Sequence, residues 1–92
     1  MKIMKKSEVL ERLSELDNWE LHGKVLVKEF KFDGFAQGLD FVNKVGAIAE
    51  EQDHHPNVLL SYESVVLELI THSVGKLTEK DFKLATAIDE IS

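Results

Sequence analysis

The 92-residue chain has no cysteine, one proline, one tryptophan and one tyrosine. Without cysteine it can form no disulfide, no thiolate-ligated zinc site and no thiol nucleophile. No apolar run approaches the roughly 20 residues that a membrane-spanning helix needs, and the first residues lack the apolar stretch of a secretory signal. We therefore expect a cytoplasmic protein that does not associate with membranes.

Basic residues are also few, since 11 Lys and Arg stand against 17 Asp and Glu, for a formal net charge of −6. A surface of that sign repels phosphate backbones, and the chain has no run of Lys and Arg interleaved with aromatic residues. Direct nucleic-acid binding is therefore not expected. The length suits one domain over residues 1–92, whose thin core would gain from association with further copies.

Apolar periodicity divides the chain into seven elements in the order α-ββ-α-ββ-α. Ser7 is a favourable N-cap for the first helix, and Gly23 can supply the positive φ of a tight turn between the first two strands. Two antiparallel hairpins with helices on one face make an α+β two-layer sandwich around a four-stranded antiparallel sheet. The first predicted helix begins at Ser7, the second covers residues 34–52, and the third runs from Thr78 to about Ile91. The predicted strands cover residues 19–21, 24–32, 57–63 and 65–72.

Two of these elements leave alternatives open. In the second strand, Leu26 and Phe30 share one parity and Val27 has the other, so either both sheet faces are partly apolar or a bulge near Lys28 shifts the register. The second helix, for which Asp33 is a candidate cap, has an apolar face covering nearly half its circumference, whereas covering one sheet needs roughly 100°. The extra apolar surface indicates contact with another subunit or deep burial.

Residues with acid–base chemistry are concentrated at the ends of predicted elements. His54 and His55 follow the second helix and precede Pro56, and His72 closes the last strand. Histidine exchanges protons near neutral pH because its unperturbed pKa is about 6.5. Side chains at the ends of elements can converge on a cleft while the scaffold holds them in place. These three histidines are therefore candidates for one site.

Each polar residue near this segment also has a purely structural explanation. Asp81 is placed to complete a capping box at the start of the last helix, and His72 can be an ordinary strand-end residue. Glu50 can be solvated, and Tyr62 can pack on its strand. Zinc binding by Glu50, His54 and the other histidines is a further alternative, disfavoured because adjacent histidines rarely ligate one ion together.

The spacing of these residues resembles the motif of the pterin-4a-carbinolamine dehydratase family. In this sequence the motif reads Glu50-x3-His54-His55-Pro56-x5-Tyr62-x9-His72-x8-Asp81. The predicted order of helices and strands is also similar to that of the family. The chain departs from animal members after the proline, where Asn57 and Val58 stand in place of an acidic residue and tryptophan, and this pair is similar to many bacterial members.

The resemblance implies dehydration of 4a-hydroxytetrahydropterin (4a-hydroxytetrahydrobiopterin) to quinonoid dihydropterin, in tetrahydrobiopterin recycling, without metal or cofactor. His54 and His72 are the expected proton-transfer pair, with His55 positioning the pterin as a partly catalytic group. Asp81 is expected to orient His72 while capping its helix. The implied substrate-binding residues are Glu50, Asp53, Pro56, Thr71, Ser73, Val74 and Asp81.

The expected partners are a small-molecule pterin, which the resemblance implies, and further copies of the chain. We expect these copies to form a homodimer or homotetramer through sheet edges or the second helix. A non-catalytic dimerisation module of the coactivator type is an alternative function. So is a pterin-handling role in molybdenum-cofactor metabolism. A protein that only binds partners has no need of three convergent histidines, which favours the enzyme.

Overall fold

The structure, a computed structural model, describes residues 2–92. It confirms the predicted α-ββ-α-ββ-α order and the four-stranded antiparallel sheet of an α+β fold. Across the sheet the strands lie in the order β1-β2-β4-β3, so β1 and β3 are the edges. The helices are α1 (Lys6–Ser14), α2 (Phe35–Gln52) and α3 (Glu79–Ile91), and the strands are β1 (Glu20–His22), β2 (Val25–Lys31), β3 (Asn57–Leu60) and β4 (Ser64–Leu69).

The face of the sheet that packs against the helices forms the core. On it, Leu26 and Phe30 of β2 pair with Leu69 and Val65 of β4, and all four side chains are buried. The pairing runs through β2 without interruption, so no bulge shifts its register. Val27 lies half buried on the opposite face, and both faces of β2 are therefore partly apolar.

The predicted caps of the first two helices are wrong. The N-cap of α1 is Lys5, whose backbone N–H donates to the Glu8 side chain at 3.1 Å, while Ser7 lies inside the helix. A carboxylate at this end is stabilised by the free N–H groups and by the helix dipole. The N-cap of α2 is Gly34, not Asp33, and no side chain bonds the free N–H groups there.

The apolar face of α2 is only partly covered. Phe41, Val45 and Ala49 are buried in the core, whereas Phe35 is 46% exposed and Leu39 is 43% exposed. Deep burial therefore does not account for the width of this face in the single chain. Contact with another subunit stays a prediction.

Both strands of the second hairpin end about three residues earlier than predicted, at Leu60 and Leu69. His72 is therefore placed outside the sheet. A tight turn between β3 and β4 is closed by the Ser61 N–H, which donates to the Ser64 carbonyl at 2.8 Å. Beyond β4 the chain leaves the sheet, and Thr71 and Lys76 form an isolated bridge. His72 therefore lies in the turn enclosed by that bridge rather than in a strand.

The last helix agrees with the sequence prediction. Thr78 is its N-cap, and Phe82, Ala85 and Ile88 are buried against the sheet and α2 as expected. None of the described helices combines the length and apolar character that crossing a bilayer requires.

Candidate active site

The two histidines that follow the C-terminus of α2 lie in different environments. Asp53 is left-handed, with φ 51° and ψ 43°, and its N–H donates to the Glu50 carbonyl at 3.3 Å. The N–H of His54 donates to the Ala49 carbonyl at 3.0 Å, which completes a Schellman-type helix end. The reversal buries the His54 side chain to 10% exposure and leaves that of His55 54% exposed.

Below His54, the carboxylate of Asp81 accepts three hydrogen bonds. Its Oδ1 lies 2.6 Å from His54 Nε2, and its Oδ2 accepts from the Thr71 hydroxyl at 2.7 Å and the Thr78 N–H at 2.9 Å. The last of these bonds confirms the predicted capping box at the start of α3. Asp81 has no exposed surface, so every donor that satisfies it comes from the protein.

The directions of these hydrogen bonds follow from the number of protons available. Thr71 gives its one hydroxyl proton to Asp81, so the Thr78 hydroxyl, 2.8 Å away, donates to the Thr71 oxygen. The Thr78 oxygen in turn accepts from the Lys80 N–H at 3.3 Å. This chain of donors ends on the carboxylate, and such chains strengthen each member by mutual polarisation.

The same count assigns the tautomer of His54. An ionised Asp81 can only accept, so Nε2 of His54 carries a proton and donates it to Oδ1. Nδ1 of neutral His54 then has the lone pair, and it has no hydrogen-bond partner within residues 2–92. His54 is therefore arranged to accept a proton at Nδ1.

The prediction that Asp81 orients His72 is wrong, because the imidazole it holds belongs to His54. The left-handed turn at Asp53 carries His54 over the start of α3, while His72 lies in the exposed turn after β4. Asp81 is fully buried and supports the site from below through its contact with His54. Its predicted contact with the substrate stays a prediction.

A cleft of about 240 Å³ joins the end of α2 to the turn after β4. All three predicted catalytic histidines line this cleft, although they come from two separate segments. Two larger grooves of about 440 Å³ each contain no histidine. The residues that line the cleft are Asp53, His54, His55, Thr71, His72, Ser73 and Lys80.

Four residues of the predicted site lie outside this lining, and one of them is the buried Asp81. Glu50 bonds Nε2 of His55 and so holds that ring from the side, whereas Pro56 and Val74 are neighbours of the cleft in sequence only. Tyr62, part of the sequence motif, is 68% exposed in the β3–β4 turn and is also absent from the lining. Lys80 does line the cleft, and its one sequence signal was its position directly before Asp81 in the motif.

The zinc alternative requires Glu50 and His54 to bind the same ion, but Glu50 contacts His55 instead. Nowhere in residues 2–92 do three or more His, Asp or Glu side chains lie close enough to hold a metal ion together. The groups present are suited to proton transfer, since a buried carboxylate holds one imidazole beside two others. Fold and site together define a small α+β domain with a candidate acid–base centre.

Comparison with known proteins identifies the family. The sequence profile of the family described as pterin 4 alpha carbinolamine dehydratase matches residues 2–91. A relative from Sulfolobus acidocaldarius, provisionally named pterin-4-alpha-carbinolamine dehydratase, is 47% identical over 92% of this chain and 93% of its own. A relative of the same provisional name from Chloroflexus aurantiacus is 41% identical over 96% and 95%. The chain belongs to the pterin-4a-carbinolamine dehydratase family, as the sequence motif predicted.

Two solved structures share its fold. One, described as a transcriptional coactivator/pterin dehydratase from Brucella melitensis, superposes with a TM-score of 0.92 at 34% identity, over 98% of each chain. The other is a pterin dehydratase-like protein identified as a RuBisCO assembly factor in the α-carboxysome. It has a TM-score of 0.69 at 27% identity, over 82% of this chain and 89% of its own. The fold thus accompanies several described roles, so activity must be argued from the site.

Proposed function

We propose that this protein dehydrates 4a-hydroxytetrahydropterin to quinonoid dihydropterin, in tetrahydrobiopterin recycling. The observation that carries the proposal is the convergence of His54, His55 and His72 on one cleft, with His54 fixed by a fully buried carboxylate. Family membership supports a reduced pterin as the substrate class. Asp53, Ser73 and Lys80 also line the cleft, and their polar groups can contact the ring and side chain of the pterin.

The reaction breaks the C4a–O bond and forms a new double bond at C4a. An acid protonates the hydroxyl group, which leaves as water, and a base removes a proton from a ring nitrogen. Each positioned proton transfer of this kind contributes about 10²–10⁴-fold to the rate. The acid ends with one proton fewer and the base with one more, and exchange with solvent restores both.

His54 fits the role of the base. Its Nε2–H points to Asp81, which leaves Nδ1 to take the proton from the ring nitrogen. The imidazolium that forms is stabilised by the carboxylate 2.6 Å from Nε2. His72, exposed on the opposite segment of the cleft, is then the acid, and His55, held by Glu50, positions the pterin.

The test is turnover of chemically generated 4a-hydroxytetrahydropterin, followed by the absorbance of the quinonoid product. His54→Gln keeps a donor for Asp81, and we expect this variant and His72→Gln each to lose most turnover while the melting temperature stays close to wild type. His22→Gln is the matched control, because His22 pairs with Glu20 in the exposed first hairpin. The assay is run with and without a chelator, and the two rates should agree.

Two results would contradict the assignment. A wild-type protein that does not accelerate the reaction would exclude the enzyme and favour the non-catalytic alternative. Equal losses in the cleft variants and in His22→Gln would mean that the histidine substitutions act through stability.

We further propose that the chain self-associates as a homodimer or homotetramer. Phe35 and Leu39 on α2 and Leu59 on the edge strand β3 are 46%, 43% and 63% exposed. An edge strand with exposed apolar side chains is a template for pairing with another chain. A monomer peak for the wild-type protein in size exclusion at micromolar concentration would contradict the proposal. The Leu59→Lys variant should elute closer to the monomer position than wild type does.

A further inference from the structure

A second cavity, also about 240 Å³, lies on the other side of the turn that carries His72. It is open to solvent and bounded by the start of α1, the β1–β2 turn and the segment before α3. Its floor is apolar, since Val9 and Leu77 are buried at 6% and 5% exposure and Met4 and Leu21 are half buried. The dehydratase site uses none of these residues.

Lysines alone supply the charge in the lining of this cavity. Lys6, Lys24 and Lys76 line it, and no acidic residue does, although acidic residues outnumber basic ones in the whole chain. None of the three ammonium groups forms an ion pair with another residue of the described chain, whereas Lys28, Lys31 and others do. Like charges gathered without counter-charges create a local positive potential, which an anionic ligand would relieve.

Backbone contacts fix the main-chain positions of two of these lysines, and all three lysines are exposed. Gly23, at φ +63°, forms the tight turn that positions Lys24. Lys76 forms an antiparallel bridge with Thr71, whose N–H donates to the Lys76 carbonyl at 3.1 Å. The floor is held in the same way, since the Met4 N–H donates to the Leu77 carbonyl at 3.4 Å.

We propose that this cavity binds a small amphipathic anion, with a compact aromatic or aliphatic body on the apolar floor and one anionic group among the three lysines. Ligand pockets commonly measure about 300–1,000 Å³, so a cavity of this size suits a fragment-sized molecule. The apolar floor and cationic rim together distinguish such a ligand from a neutral ring and from inorganic phosphate. This binding is independent of the dehydratase reaction.

Titration of the ¹⁵N-labelled protein with three probes tests the proposal: 2-naphthoate, its neutral amide 2-naphthamide, and inorganic phosphate. We expect 2-naphthoate to give saturable shifts at the amides of Leu21, Lys24 and Leu77. Its Kd should be at least about tenfold lower than that of the amide, a difference that one favourable charge interaction provides. Phosphate alone should not saturate these shifts. Equal binding of acid and amide, saturation by phosphate, or shifts at the histidine cleft alone would overturn the proposal.

Charge-matched variants separate this cavity from general attraction to lysine. Lys24→Gln/Lys76→Gln should weaken 2-naphthoate binding about tenfold or more. The control Lys31→Gln/Lys44→Gln removes the same charge elsewhere and should leave the affinity unchanged. Lys6→Gln alone should weaken binding in the same direction and provides the test if the double variant does not fold. Equal weakening by both doubles, or none by either, would refute the site.

Discussion

Two aspartates on α3 each accept several hydrogen bonds, yet they belong to different kinds of network. Asp81, near the start of the helix, is fully buried and holds the imidazole of His54 at 2.6 Å. Asp89, near its end, has a side chain that is 24% exposed. It accepts from the Trp19 indole at 3.0 Å and from the Lys28 ammonium at 2.9 Å.

The difference lies in the donors. Indole and ammonium groups keep their protons throughout the neutral pH range. The Asp89 network therefore joins α3 to β2 but transfers no proton. The Lys28 ammonium also lies 4.9 Å from the centre of the Phe30 ring, which adds a cation–π contact to the same structural network. An imidazole can exchange a proton at its second nitrogen while the first stays bonded to a carboxylate. One arrangement therefore joins parts of the fold, and the other leaves a side chain that can exchange a proton.

Asp81→Asn should have the largest effect on turnover. The asparagine oxygen can still accept from Thr71 and Thr78, but its NH₂ group then faces His54. Nε2 of His54 must then accept and its proton moves to Nδ1, so His54 can no longer serve as the proposed base. We expect kcat to fall by about 10²–10⁴-fold with a nearly unchanged melting temperature. Steady-state kinetics and calorimetry on the same preparation check this, and unchanged kcat would show that the Asp81 network is only structural.

Asp89→Asn should have the opposite profile. It removes the charge that pairs with the half-buried Lys28 ammonium, and we expect the free energy of unfolding to fall by about 1–3 kcal/mol. Turnover at a temperature where the variant is fully folded should match wild type. Urea unfolding and kinetics measure the two quantities, and a large loss of kcat in the folded variant would break the distinction between the two aspartates.

Glu79→Gln should have the smallest effect, a small decrease in the free energy of unfolding with no change in turnover. The Arg12 guanidinium, with Nη1 2.6 Å from Oε1, holds the pKa of Glu79 below its ordinary value, but the glutamate side chain is 67% exposed. Solvent screening limits such a pair to about 1 kcal/mol or less.

The pH dependence of this small effect has a defined sign. A lowered pKa in the folded state stabilises the protein above the ordinary glutamate pKa of about 4.3, and that contribution is lost as the pH falls through the folded-state pKa. The difference in unfolding free energy between wild type and Glu79→Gln should therefore shrink between pH 7 and pH 3. Urea unfolding at both values measures it, and a difference independent of pH would count against the pairing.

Fold prediction from the sequence succeeded where the information is local. Hydrophobic periodicity placed the order of all seven elements, and Thr78 followed by Asp81 marked the start of α3. It failed where neighbouring residues compete for one role. Ser7 is a good N-cap by residue type, but the carboxylate of Glu8 bonds the Lys5 N–H and moves the helix start earlier.

The candidate site divides in the same way. The full spaced motif from Glu50 to Asp81 was enough to predict the family, and the structure brings His54, His55 and His72 to one cleft. Their catalytic roles remain a proposal. The partner of Asp81 was predicted as His72 and found to be His54, because nothing in the local sequence reveals a left-handed residue at Asp53.

By itself, the sequence determined the family, the order of helices and strands, and which residue types are available for acid–base chemistry. These properties depend on side-chain periodicity and short-range spacing, which are written along the chain. Only the tertiary structure decided which imidazole meets the buried carboxylate, and that three lysines surround an apolar cavity. Both results depend on how distant segments pack. A contact across 27 residues is set by the direction in which one helix ends and by where the next begins.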